Sequence, residues 1–346
     1  MVVEAFRYAM FCLLVLMCFG LGERLDETAV RAIGATQRDW LIYVGRKTSV
    51  FAFWPAVTKH LFRGRLQTGL ALRRRQKELF QPLIDVRRER REQVSRGFGT
   101  AAAPKRDRTL EHSYVDTLLN IKLPDEGGRV LTDDEMANLC SEFLSAGTDT
   151  TSTALEWIMA ELVKNPRIQE NLYNEIKATT GPEEVTEEEM NDMPYLKAVV
   201  LEGLRKHPPN HFLLAHKAAE GTEISGYLFP KGATVNFMVA EMGRDDREWQ
   251  NPTEFLPERF LPGGDGEGVD VTGSRNIRMM PFGAGRRICA GLGIGILHLE
   301  YFVAVLCKDF EWYQVPGDEV DLAEKPEFTV VMAEPLRARL VPRSRN

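Results

Sequence analysis

Between Thr132 and Asn165 nothing breaks a helical run of about 33 residues. At 1.5 Å of rise per residue this is a rod of roughly 50 Å, as long as a whole domain, so the fold must be built around a helix that crosses its core. Thr132 and Glu135 stand at capping-box spacing at one end, and Asn165-Pro166 closes the other and opens the next helix. The middle of the run reads AGTDTT, residues 146–151. Glycine inside a helix costs about 1 kcal/mol relative to alanine, and interior hydroxyls bond back to the preceding turn and bend it. Something in the folded protein must compensate for that cost.

Around this rod the remaining segments predict a mainly α protein with small β-sheets. Residues 26–45 have helical periodicity, 49–55 (SVFAFWP) form an aromatic loop, and Ser113 with Asp116 opens a short helix over 113–123 that Pro124 and Gly127-Gly128 stop. Residues 95–108 are small, polar and basic, the profile of a flexible loop. A helix over 167–177, an acidic turn over 183–189 and a helix over 195–209 follow. Alternating segments near 222–227, 234–239 and 328–332 predict short strands. No strand–helix alternation repeats, which excludes a doubly wound parallel sheet, and the 346 residues are expected to form one domain.

The net charge of −6 excludes general nucleic-acid affinity, which needs a basic field. Any basic patch is therefore local, and one stands out. Residues 59–91 carry eleven Lys or Arg against three acids. Such a run reads as a solvated helix face or as a surface for anionic lipid or an acidic protein. Residues 49–55 are apolar enough to line a pocket, pack inward or touch a membrane. The apolar stretch at 8–20 has about 13 residues where a spanning helix needs roughly 20, so it is expected to be a buried core helix. The five cysteines, Cys12, Cys18, Cys140, Cys289 and Cys307, are odd in number and lack CxxC spacing, so neither a disulfide framework nor a thiolate zinc site is expected.

One of them sits in an unusual place. In PFGAGRRICAG, residues 281–291, Gly283, Gly285 and Gly291 allow positive φ and close backbone approach to a flat ligand, and an apolar helix over 291–310 begins directly after Cys289. A sulfur at a helix N-terminus is stabilised as a thiolate by free N–H groups and the helix dipole, and can act as a nucleophile or a metal ligand. No histidine is marked by its local sequence as a partner base, and the phosphate-loop pattern GxGxxG fails at Ile288. An iron ligand fits best, with Arg287 placed to pair with a porphyrin propionate.

Phe282, Gly285, Arg287, Cys289 and Gly291 complete the pattern FxxGxRxCxG, and with it the sequence resembles the cytochrome P-450 family. Three further segments resemble that family in order: AGTDTT, the EGLR that supplies Glu202 and Arg205, and FLPERF with Arg259. The wording resembles plant A-type members, subfamily 89 among them. The resemblance covers essentially the whole chain but only about the later two-thirds of the family fold. It therefore implies a P-450 fold lacking its N-terminal third, including the membrane anchor.

The resemblance implies haem b with its iron on the Cys289 thiolate, held by the 281–291 loop, and with His216 and Arg287 at the propionates. It implies oxygen access beside Ala146 and Gly147, and an acid–alcohol pair, Asp149 and Thr150, that relays protons. Glu202, Arg205 and Arg259 would be a structural charge network, and Phe143, Phe212, Leu213, Leu214 and Val330 would line a substrate pocket. The implied activity is monooxygenation of a small apolar substrate, with electrons from NADPH through NADPH-cytochrome P-450 reductase. It would take place on the cytosolic face of the endoplasmic reticulum membrane, or in the cytoplasm without the anchor. An inactive, truncated fragment with impaired haem binding is the alternative. A haem-thiolate isomerase or dehydratase is disfavoured by the intact Asp149-Thr150 pair.

Overall fold

A computed structural model describes residues 2–20, 27–95, 112–181 and 183–343. Its helices are α1 (Val2–Phe19), α2 (Glu27–Lys47), α3 (Pro55–Leu61), α4 (Arg63–Ser95), α5 (Tyr114–Asn120), α6 (Asp133–Lys164), α7 (Pro166–Thr180), α8 (Glu187–Met190), α9 (Pro194–Lys206), α10 (Val239–Gly243) and α11 (Leu292–Asp309). Ten short strands pair antiparallel in twos: β1 (Lys122–Leu123) with β2 (Arg129–Val130), β3 (His216–Lys217) with β6 (Thr234–Val235), β4 (Thr222–Ile224) with β5 (Tyr227–Phe229), β7 (Phe310–Tyr313) with β10 (Arg339–Pro342), and β8 (Glu324–Pro326) with β9 (Val330–Met332). The mainly α class with small sheets is as expected. The chain forms two compact units, one of Met1–Phe6 with Thr150–Asn346 and one of Arg7–Asp149, so α1 and α6 each contribute residues to both.

In the Arg7–Asp149 unit, the apolar face of α1 (Met10, Phe11, Leu14, Val15, Cys18, Phe19) joins Ile33 of α2, Phe80 and Ile84 of α4, Leu118 of α5 and Leu144 of α6 in a buried core. Phe19 and Phe80 meet with ring centroids 5.6 Å apart. Polar chemistry inside this core is paired. The amide of Gln37 donates to the Ser141 carbonyl at 3.0 Å, and that of Gln76 donates to Gln37 Oε1 and to Ser141 Oγ. Arg87, 2% exposed, is neutralised by Asp116. Asp116 closes the expected capping box with Ser113, and burial pushes its carboxyl up less than Arg87 and Ser113 hold it down.

In the other unit, residues 151–163 of α6 are buried without interruption. A run so enclosed must satisfy its own polar groups. Thr153 shares a 2.9 Å bond with Thr329, Trp157 Nε1 donates to the Val330 carbonyl at 2.9 Å, and Glu156 accepts from Leu336 N at 3.0 Å. Leu172 and Ile176 of α7, Val199 and Val200 of α9, and Val303 and Ala304 of α11 complete the core. At Gly203 a Cβ would fall 2.3 Å from Ile158 Cγ1, so α9 approaches α6 as closely as it does because that side chain is absent.

Several boundaries differ from expectation for local reasons. The apolar N-terminal stretch is one helix of 18 residues, long and apolar enough to cross a membrane by length and composition, with 44% of it buried inside the protein. The helix takes in Glu4 and Arg7 ahead of the apolar stretch, which is why it is longer than 13 residues. Residues 49–55 are a 3-10 turn (Ser49–Ala52) leading into α3. The helix at Ser113 stops at Asn120, and Lys122–Leu123 is β1. Asn165 does not cap α7 with its side chain, because its amide turns back to Glu161. The expected loop over 95–108 lies outside the described residues apart from Ser95.

Glu161 and His207 give this unit a signed pH dependence. Nε2 of His207 lies 2.7 Å from Glu161 Oε1, while the ring stacks on Trp157 at 4.3 Å and its buried Nδ1 has no partner among the described residues. A proton on Nδ1 would be a buried donor without an acceptor. Burial holds the imidazole below its usual range despite Glu161. For Glu161, burial raises the carboxyl, but the His207 hydrogen bond and Lys206 outweigh it and hold it low. A base depressed in the folded state takes its proton first when unfolded, so stability falls as pH drops below about 6.5. Glu161 extends the loss below about pH 4.5. Urea unfolding from pH 7.5 to 5.5 is expected to show falling stability, by at most about 1.4 kcal/mol per pH unit for each such proton. His298, also depressed by burial, contributes a second share. His207→Gln is expected to flatten that slope, and an unchanged slope contradicts the assignment.

Candidate functional site: the cysteine loop and its supports

The loop at 281–291 is built by its own backbone. Gly283 (φ 74°) and Gly285 (φ 65°) take the left-handed conformation that side chains disfavour. Cys289 N donates to the Phe282 carbonyl at 2.8 Å, closing the turn, and Ile288 N donates to the Gly285 carbonyl at 3.1 Å. Gly291 departs from expectation. Its φ is −93°, and it serves as the N-cap of α11, where a Cβ would lie 3.8 Å from Cys289 Sγ. Of the five cysteines only Cys289 is exposed; Cys12 is half-buried and the others are buried.

The fixed side of the loop is the charge network. Glu202, fully buried, accepts from Arg205 Nε at 2.6 Å and Nη2 at 2.8 Å, from Arg259 Nε at 3.1 Å and from Leu256 N at 2.8 Å. Sequence reasoning missed a fourth member, Asp265, whose two oxygens each accept from Arg259 Nη1 at 3.0 Å. Two guanidiniums are thus balanced by two carboxylates. Trp249, buried beneath them, meets Arg205, Arg259 and Arg278 at 5.3, 5.8 and 4.4 Å from its ring centroid. Arg278 also donates to the Asp265 carbonyl, three residues before the loop begins. The network therefore reaches the 281–291 loop through Arg278 and the buried Met279 and Met280.

Leu213 lies beside the loop, 3.7 Å from where a Gly283 Cβ would stand. Phe212 and Leu214 on the same segment are exposed, whereas Val330 is buried with both backbone groups bonded, its N to Pro209 and its carbonyl to Trp157. His216 in β3 packs edge-on against Phe237 at 5.7 Å, and its buried Nδ1 has no partner among the described residues. Arg286 and Arg287 are exposed, and neither pairs with a carboxylate among the described residues.

In the Arg7–Asp149 unit, Asp149 Oδ1 accepts from Arg7 Nε at 3.0 Å and Arg38 Nη1 at 3.1 Å, partners invisible in sequence. Ala146 is exposed; Gly147 faces α1, where a Cβ would come within 2.9 Å of Leu14 Cδ1, so its smallness serves helix packing. Phe143 stacks on Tyr114 at 4.7 Å. Thr150 follows Asp149 directly in α6.

The cytochrome P450 family model matches residues 2–340. The chain belongs to the cytochrome P450 family. It is 45% identical over 348 residues to cytochrome P450 89A9 of Arabidopsis thaliana, covering 97% of this chain and 64% of that protein, so it spans less than two-thirds of the relative's length. A flavonoid 3'-monooxygenase of the same plant is 39% identical over 236 residues, 66% of this chain and 46% of its own. A zebrafish cytochrome P450 solved with progesterone has the same fold, with TM-score 0.75 at 21% identity over 99% of this chain and 71% of that one. The plant A-type wording and the P450 fold are both borne out.

The P450 cofactor is haem held through a cysteine thiolate, and the residues present fit it. Among the described residues no group of three or more His, Cys, Asp or Glu could hold a metal ion, and a lone exposed thiol such as Cys289 suits an iron that would arrive within a porphyrin. The unpartnered His216 Nδ1 and the Arg286-Arg287 pair supply donors suited to propionates.

Proposed function

We propose that this P450 chain carries the catalytic machinery of a haem-thiolate monooxygenase, reading residues 1–346 as one P450 domain. The supporting observation is the single exposed cysteine, presented at the start of an 18-residue helix by a turn that its own N–H closes. Haem bound there supplies dioxygen activation. Cys289 donates the thiolate, and Arg287 and His216 orient the propionates, while Phe282, packed on α11, and Gly285 keep the turn in shape. Asp149 and Thr150 move protons at a carboxylate and a hydroxyl, with Arg7 and Arg38 orienting the acid. Ala146, beside them, leaves space for the small reactant. Phe212, Leu213 and Leu214 offer apolar surface, which favours a small apolar substrate.

Electrons come from NADPH through NADPH-cytochrome P450 reductase. The exposed Phe53, Trp54 and Leu61, each more than 70% accessible and flanked by Arg63 and Arg65, suit contact with a membrane surface, in keeping with an endoplasmic reticulum location. The test is turnover of the haem-loaded chain with reductase, NADPH and oxygen-18 gas on a panel of plant phenolics. One labelled oxygen per product molecule is expected. Haem uptake without any labelled product overturns the monooxygenase reading, and failure to take up haem identifies an inert fragment.

A further inference from the structure

The basic run that sequence alone left open, residues 59–91, resolves into two environments. Its later part pairs internally: Arg87 with Asp116, and Arg88 with Asp85 and Asp133. In the earlier part, among the described residues, Lys77 alone forms an ion pair with an acid. Arg73, Arg74, Gln76 and Lys77 of α4 line a cavity of about 570 Å³ with Asp134, Ala137 and Asn138 of α6, a volume in the range of small-molecule sites. Lys77 lies one helical turn from Arg73 and Arg74, so all three cations reach the same side.

Arg73 is held before any ligand arrives. Its guanidinium lies over the Trp40 ring at 4.1 Å and donates to Gln76 Oε1 at 3.1 Å, and Gln76 is in turn fixed by Gln37 and Ser141. Burial lowers its hold on its proton, and the charge of Glu142 opposes this. Arg74 is exposed and has no acid partner among the described residues. Lys77 is matched by Asp134 at 2.5 Å. The lining thus carries three cations and one carboxylate, in a protein whose net charge is −6.

We propose that this cavity is a binding site for an organic phosphate monoester. The fork of Arg73, the free reach of Arg74 and the Asn138 amide match the three oxygens of a dianionic phosphate, and the remaining volume takes the organic part. The site depends on neither haem nor turnover. The shared chemistry could come from a soluble ester or from a lipid headgroup, and the two are separable.

Calorimetric titration of the purified full chain at low salt with glucose 6-phosphate, and with glucose as control, tests it beside co-sedimentation with phosphatidylcholine vesicles lacking or containing phosphatidic acid. Saturable sub-millimolar binding of the phosphate ester but not glucose is expected, or binding to phosphatidic acid vesicles alone if the source is a headgroup. Arg74→Gln is expected to weaken binding about tenfold, the loss typical of a charge-assisted bond. Asp134→Asn is expected to tighten it, and Arg75→Gln, which removes the same charge outside the lining, to leave it within about twofold. Absence of binding in both arms overturns the site, as does Arg75→Gln costing as much as Arg74→Gln.

Discussion

Replacing Glu202 with glutamine lowers the free energy of unfolding by about 3–5 kcal/mol, the cost of removing one partner from a buried ionic group. The magnitude follows from what stays behind. Arg205 and Arg259 are 0% and 3% exposed in their side chains, and without Glu202 only Asp265 remains to balance them. Glutamine retains the shape and one acceptor, but its amide N–H groups point a like dipole at two guanidiniums. The measurement is urea unfolding, read as a midpoint shift with little change in slope. A shift worth under 1 kcal/mol contradicts the network as drawn. Asp265→Asn, which leaves the Glu202–Arg205 bidentate pair intact, is expected to cost less.

Replacing Cys289 with serine is expected to remove both the fast-reacting thiol and the proposed iron ligand. In the haem-free chain an aromatic disulfide reagent is expected to modify one thiol quickly, because Cys289 is exposed while Cys18, Cys140 and Cys307 are buried, the last pushed up to about 12 by burial. Cys12, half-buried in α1, reacts more slowly. Haem is expected to protect the fast equivalent, and Cys289→Ser to lack it with or without haem. A fast thiol that survives in Cys289→Ser, or one that haem leaves reactive, contradicts the placement of the sulfur.

What could be read from residues alone was the chemistry that acts within a few positions. Ser113 with Asp116 and Thr132 with Glu135 were legible as caps because a side chain three residues away supplies the whole interaction. The cysteine turn was legible for the same reason, except at Gly291, whose φ is not in the left-handed region. Partners far apart in the chain were not legible. Asp149 finds Arg7 across 142 residues, and Gln37 finds Ser141 across 104, and nothing in composition or periodicity marks such pairs. Asp265 was nearer, six residues beyond Arg259, yet its role depends on a turn that reverses the chain. The basic run of 59–91 looked uniform in sequence, because which arginines meet an acid is decided by the packing of α4 and not by their spacing.

The most direct measurement is the carbon monoxide difference spectrum of the reduced, haem-loaded chain. Ligation by Cys289 predicts the red-shifted Soret band of a thiolate-bound haem, lost in Cys289→Ser. A folded chain that binds haem without that band, or a Cys289→Ser variant that keeps it, places the iron on some other ligand and removes the chemical basis of the site.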